Sequence, residues 1–131
     1  MQNLFISTIL CLGLFAGCSQ TKAQQTAYRK ISAEEAHKMM SESKDFILLD
    51  VRTEAEYREI HIPGALLIPD SQIKARAEKE LPDKNRVIFI YCRSGRRSAS
   101  AARELASLGY TDVYDIGGIS GWSYELEKSS P

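Results

Sequence analysis

The run Val87-Ile88-Phe89-Ile90-Tyr91 constrains the fold of this chain more than any other segment. Five consecutive apolar residues, mostly β-branched or aromatic, describe a strand covered on both faces. Such a strand, starting at about Arg86, lies inside a sheet with helices above and below it. The rest of the sequence fits that placement. Tyr28 to Ile31, Phe46 to Val51, Ala65 to Ile68 and Asp112 to Ile116 also read as strands. Ser32-x-x-Glu35 and Thr53-x-x-Glu56 are capping boxes, opening one helix through about Ser41 and a shorter one that ends before the turn His61-Ile62-Pro63-Gly64. Ser71 to Glu80 reads as a charged helix stopped by Pro82, Ser98 to Leu108 as a helix capped by Gly109, and Ile119 to Glu127 as a final helix. Strands alternating with helices predict an α/β fold. We expect one domain over residues 28–128, with a mostly parallel central sheet of about five strands and helices on both faces. Ligands in such sheets bind beyond the carboxyl ends of the strands.

Cys92 stands at such an end, and a loop rich in donors follows it: Arg93, Ser94, Gly95, Arg96, Arg97 and Ser98. A strand, a short glycine-containing turn and a helix aim successive backbone N–H groups and the positive end of the helix dipole at whatever sits on the cysteine. Nearby positive charge and a helix N-terminus both lower a cysteine pKa, so the sulfur is expected as a thiolate. An ionised sulfur needs no adjacent base, and neither His37 nor His61 lies near Cys92 in sequence. Gly95 is where the loop can take positive φ and curl its amides inward. That turn sends Arg93 and Arg96 to the rim and leaves Arg97 the most inward of the three guanidinium groups. Asp50 and Arg52 end another strand and could approach the same rim, although an ion pair with Glu56 or Glu59 explains Arg52 equally well. His61, beside Pro63, reads as a structural hydrogen-bonding residue, His37 as a surface residue, and Trp122 as packing behind a glycine-rich turn.

The pattern Cys-Arg-x-Gly-x-Arg over Cys92 to Arg97 resembles the active-site loop of the rhodanese sulfurtransferases. Asp50-Val51-Arg52 and Tyr57-x-x-x-His61-Ile62-Pro63-Gly64-Ala65 are similar to that family's upstream signature, and Gly117-Gly118-x-x-Gly121-Trp122 to its C-terminal motif. Two positions depart from it. Ile60 stands where the family usually has Gly before the histidine, and Glu54 where a Pro is common. The resemblance implies a single rhodanese-like domain in which Cys92 carries a persulfide. Sulfur would pass from a small anionic donor such as thiosulfate to a small thiol, cyanide or a protein acceptor, with no cofactor and no metal. The same resemblance brings Trp122 towards the active-site rim. A persulfide carrier or a non-enzymatic binding module is the alternative. A cysteine phosphatase or arsenate reductase is a more distant rival, because its loop sets the arginine one residue further from the cysteine, where this chain has Ser98.

Residues 1–17 carry no charged side chain, and Leu4 to Gly17 forms an apolar run of signal-peptide length, too short to span a bilayer. Phe15-Ala16-Gly17-Cys18 resembles a bacterial lipobox, which makes Cys18 the expected lipidation site and residues 18–27 a polar tether reaching at most about 30 Å. The expected location is the cell envelope, facing the periplasm from the outer membrane and touching the membrane only through that lipid. Ordinary cleavage near Ala23, giving a soluble periplasmic protein, is the alternative. Cys11 and Cys18 are then removed or acylated, and Cys92 remains as the one free thiol. The 17 basic and 17 acidic residues balance, and no basic block lies outside the cysteine loop, so no nucleic-acid partner is indicated.

Overall fold

The computed structural model describes residues 28–130, so the readings made for the signal segment, Cys18 and the tether lie outside it. Five strands, β1 (Tyr28–Lys30), β2 (Phe46–Asp50), β3 (Leu66–Leu67), β4 (Val87–Cys92) and β5 (Val113–Gly118), form one sheet in the order β1-β5-β4-β2-β3. Every neighbouring pair is parallel. The helices are α1 (Ala33–Glu42), α2 (Glu54–Glu59), α3 (Ile73–Glu80) and α4 (Arg96–Ser107).

The caps form as the sequence predicts. Ser32 accepts from the Glu35 N–H at 3.0 Å, and the Thr53–Glu56 box closes reciprocally around the first turn of α2. Side chains alternate across the sheet. Leu49, Val51, Ile88, Ile90 and Cys92 pack with Ile73 and Ala77 of α3 and with Ala101, Ala102 and Leu105 of α4. Leu48, Phe89, Tyr91 and Ile116 face the other way, onto Ala36 of α1 and Trp122. Each fully buried aliphatic or aromatic side chain contributes roughly 1.5–3 kcal/mol. β4 is therefore the two-sided strand that its apolar run requires.

Three sequence expectations are corrected. The stretch Ile119 to Glu127 is not a helix: only a 3-10 turn forms at Ile119–Gly121, and Glu127 then pairs antiparallel with His61. Gly117, Gly118 and Gly121 make a helix start unfavourable there, and the His61 backbone captures the tail through two bonds of 2.9 Å. The charged helix begins as a 3-10 turn at Asp70–Gln72 before α3 proper. The helix after the cysteine starts at Arg96 rather than Ser98, so Arg96 and Arg97 belong to its first turn.

The strand order also locates the site. From β2 the chain continues to β3 on one side, whereas from β4 it continues to β5 on the other. The crevice at the carboxyl ends of β2 and β4 is thus a topological switch point, and those strands end in Asp50 and Cys92.

Candidate active site

A register shift between Ile90 and Cys92 sets Cys92 opposite Gly118 of β5. Beyond it the chain turns at Gly95, whose φ of +102° belongs to the left-handed region that favours glycine. This turn brings the Gly95 N–H to 3.0 Å from Cys92 Sγ. Burial pushes the Cys92 thiol up, but donation from the Ser98 hydroxyl and from the N–H groups of Ser98, Gly95 and Ser94 outweighs it and holds the thiol below its ordinary value. The expected thiolate thus rests chiefly on hydrogen-bond donors rather than on arginine charge.

The arginines divide as the glycine turn requires, with one difference. Arg93 and Arg96 are exposed. Arg97 turns to α2 and forms a bidentate pair with Glu56, with both bonds at 2.8 Å. The carboxylate is shared, because Glu56 Oε2 also accepts from the Thr53 N–H at 2.9 Å and the Thr53 hydroxyl at 3.0 Å. Arg97 therefore ties the loop to α2, and its charge is largely balanced before any substrate arrives. Arg93 and Arg96 are left as the unpaired guanidiniums of the loop among the described residues. A cleft of about 420 Å³ lined by Asp70, Ser94, Arg96, Arg97 and Ser100 opens beside them.

The Glu56 carboxyl is lowered from 4.5 to about 2, chiefly by its bonds to Arg97 against the opposing effect of burial, with Thr53 adding to the depression. A depressed acid stabilises the fold above its unfolded pKa and loses that contribution as pH falls through the folded one. Wild-type melting temperature should therefore decline between about pH 4.5 and pH 2 by a component that Glu56→Gln lacks, measured by thermal denaturation over that range. Equal pH slopes in both proteins would refute the assignment.

Asp50 and Arg52 do not reach the rim. Asp50 is 0% exposed and Arg52 3%, and they pair with each other rather than Arg52 with Glu56 or Glu59. Arg52 Nε and Nη2 donate to the carboxylate at 3.0 and 2.7 Å, and Nη2 also donates to the Ile60 carbonyl at 2.6 Å. Tyr91 donates to Asp50 at 2.7 Å and accepts from the Ile62 N–H at 3.1 Å. Burial and the Asp50 charge push the Tyr91 hydroxyl far up, so it stays a donor. This network fastens the His61–Pro63 turn to the ends of β2 and β4. Ile60 is tolerated where Gly is usual because its φ of −164° is ordinary extended backbone and its bonds are made by the backbone alone, the N–H to the Glu56 carbonyl at 3.2 Å and the carbonyl to Arg52. Glu54 opens α2 and pairs with Arg58 at 2.6 Å.

The C-terminal glycine motif seats the loop. The Arg93 carbonyl accepts from the Ser120 N–H at 3.3 Å and the Ser120 hydroxyl at 3.0 Å, and it lies directly against Gly118. Trp122 is 8% exposed, packs on the far face of the sheet and donates from Nε1 to the Glu125 carbonyl at 3.2 Å. It braces the turn from behind. His61 is structural, held by the Tyr57 carbonyl at 2.7 Å and Glu127 at 3.0 Å, while His37 is exposed and stacks on Tyr124. Sequence reasoning missed Glu56 as the partner of Arg97, Ser120 as a clamp and Asp115 beneath Ser98. Only Asp115 left a sequence signal, since alternation in β5 sets it on the buried face of Val113.

A Rhodanese-like domain family model matches residues 32–125, most of the chain. The chain belongs to the rhodanese-like domain family. The thiosulfate sulfurtransferase PspE of Escherichia coli is 39% identical over 71 residues, covering 54% of this chain and 68% of that protein. A sulfurtransferase of Allochromatium vinosum is 39% identical over 95 residues, 72% of this chain and 87% of its own length. Among solved structures, a rhodanese with anions from E. coli superposes with a TM-score of 0.60 at 35% identity, over 63% of this chain and 98% of that one. A rhodanese-like domain protein from Staphylococcus aureus gives 0.67 at 34% identity, over 78% of this chain and 99% of its own. This rhodanese-like domain is a rhodanese-type sulfurtransferase.

Proposed function

We propose that the domain moves a sulfane sulfur through a persulfide on Cys92. The observation that carries this reading is the convergence of donors on the Cys92 sulfur, with the Gly95 N–H at 3.0 Å. In the first step the thiolate attacks the outer sulfur of thiosulfate. The sulfur–sulfur bond of the donor breaks, sulfite leaves with the electron pair, and Cys92 holds a persulfide anion. In the second step an acceptor such as cyanide or a thiol attacks the terminal sulfur and the Cys92 thiolate is released. The amides that hold the thiolate also stabilise the charge that appears on the terminal sulfur, and a single preorganised donor of this kind is worth about 3 to 4 kcal/mol of barrier.

Arg93 and Arg96 meet the donor anion at the rim, and Arg97 holds the loop in shape through Glu56. Arg93→Ala or Arg96→Ala should raise the KM for thiosulfate several-fold, about 1 kcal/mol each, with kcat nearly unchanged and a shallower salt dependence. The two-step scheme requires a parallel initial-rate pattern with thiosulfate and cyanide. It also requires a burst of sulfite, stoichiometric with enzyme, in the absence of acceptor. Intersecting lines, with no sulfite until cyanide is added, would overturn it.

We also infer that the chain is exported and anchored through acyl chains on Cys18, on the strength of the Phe15-Ala16-Gly17-Cys18 motif and the polar segment after it. Two lipid signals suffice for stable anchoring. Cys18→Ala should release the domain from the membrane fraction with unchanged sulfur transfer, and a wild-type chain recovered from the membranes without lipid would refute the assignment.

A further inference from the structure

Asp115 is a buried carboxyl that the proposed steps leave unused. It is 1% exposed; its Oδ1 accepts from the Ser98 hydroxyl at 2.7 Å and the Gly117 N–H at 3.0 Å, whereas its Oδ2 is buried without a partner. Leaving a buried acceptor unpaired costs about 1–3 kcal/mol, and more when the group is charged. Such an oxygen in a native site requires a reason.

The proton count around Ser98 supplies one. Its Oγ lies 2.7 Å from Asp115, 3.1 Å from the Gly95 carbonyl, 3.4 Å from the Gly117 carbonyl and 3.6 Å from Cys92 Sγ. A hydroxyl has one proton to give. Asp115 is the nearest acceptor and takes it, which leaves an oxygen lone pair to receive the Cys92 S–H. Once Cys92 ionises, two anions face a single hydroxyl proton, and Ser98 cannot serve both.

Building on Cys92 as the nucleophile, we propose that Asp115 holds the proton that Cys92 gives up, passed through Ser98, so that the two residues share one proton. The Cys92 S–H bond breaks and its proton bonds to Ser98 Oγ, while the proton already on Ser98 moves to Asp115 Oδ1. One negative charge passes from the carboxylate to the sulfur, and no co-reactant is consumed. Afterwards Asp115 donates to Ser98 and Ser98 donates to the thiolate. Oδ2 is then the carbonyl oxygen of a neutral acid, which tolerates burial without a donor better than a carboxylate oxygen does. Cys92 on β4 is the titratable group this chain of bonds reaches. Of the other charged residues on the elements packed around Asp115, Lys30, in register on β1, is exposed, and Arg97 of α4 is bound by Glu56. Asp115 never touches the reacting sulfur and acts as a positioning residue.

The test is the pH dependence of iodoacetamide alkylation in the full chain, followed at Cys92 by peptide mass. A shared proton gives the wild type two rising steps more than about one pH unit apart. Asp115→Asn keeps an oxygen for Ser98 and Gly117 but cannot take up the proton, so its profile should collapse to one step. Ser98→Ala should also give one step, displaced upward because the hydroxyl no longer donates to sulfur. Infrared difference spectra of the wild type provide a readout that needs no variant: a carboxylic-acid carbonyl band should persist through the lower step, in which the thiolate forms, and be lost only in the upper step. A single wild-type step without that band overturns the proposal even if sulfur transfer proceeds normally. Two steps with the band uphold it even if thiosulfate is not turned over, an outcome that would count against the proposed function alone.

Discussion

Replacing Cys92 by serine is expected to abolish sulfur transfer from thiosulfate to cyanide, with thiocyanate formation falling at least about ten-thousandfold. The donors around position 92 bring a thiol below its ordinary pKa. They cannot bring an alkyl hydroxyl into the range where it is an anion at neutral pH, and an oxygen cannot carry sulfur as a persulfide. The fold should survive the change. Cys92 is 1% exposed and the new hydroxyl has Ser98 and the Gly95 N–H as partners, so the melting temperature should move by only a few degrees. Turnover within tenfold of wild type would remove Cys92 from the mechanism.

Gly118→Ala should be nearly as damaging, for a steric reason. A Cβ on Gly118 would lie 2.2 Å from the Arg93 carbonyl oxygen, 2.6 Å from the Arg93 carbonyl carbon and 2.7 Å from Ser94 Cα. All of these are backbone atoms of the loop that follows Cys92, so no side chain can rotate away. Either β5 separates from β4 beside Cys92 or the loop is pushed off its Ser120 clamp. We expect a loss of about 3 kcal/mol or more in denaturant unfolding, at the upper end for overpacking. Any folded fraction should alkylate at Cys92 over the pH range of an ordinary thiol. Gly121→Ala is the control, since its Cβ would meet nothing within 4 Å. Equal stabilities and equal Cys92 reactivity in the two variants would contradict this account of the glycine motif.

The parts of the molecule legible in the sequence are those that local chemistry decides. The apolar run into Cys92, the glycine that must turn with positive φ and the Thr53–Glu56 cap each act within a few residues, and each is found where expected. The sheet, its five strands and the place of Cys92 at a strand end follow from them. What the sequence hid is the pairing of polar groups over distance. Glu56 and Arg97 are 41 residues apart, and Ser98 and Asp115 are 17 apart. Glu56 was also disguised, because its capping role fully explains its presence. Asp50 and Arg52 were ambiguous for a different reason: residues two apart at a strand end can either project to a rim or close on each other. Here the neighbouring Tyr91 hydroxyl and Ile60 carbonyl satisfy the pair inside the protein. The final helix failed to form because three nearby glycines weaken it while the backbone of His61 offers the tail a partner.

The most direct test of the central claim is the intact mass of the wild-type chain after brief exposure to thiosulfate and removal of excess donor. The account predicts a gain of one sulfur atom per chain, mapped to Cys92 and lost on addition of cyanide with one equivalent of thiocyanate released. A chain that turns over thiosulfate yet never carries that sulfur on Cys92, or carries it equally in Cys92→Ser, would contradict it.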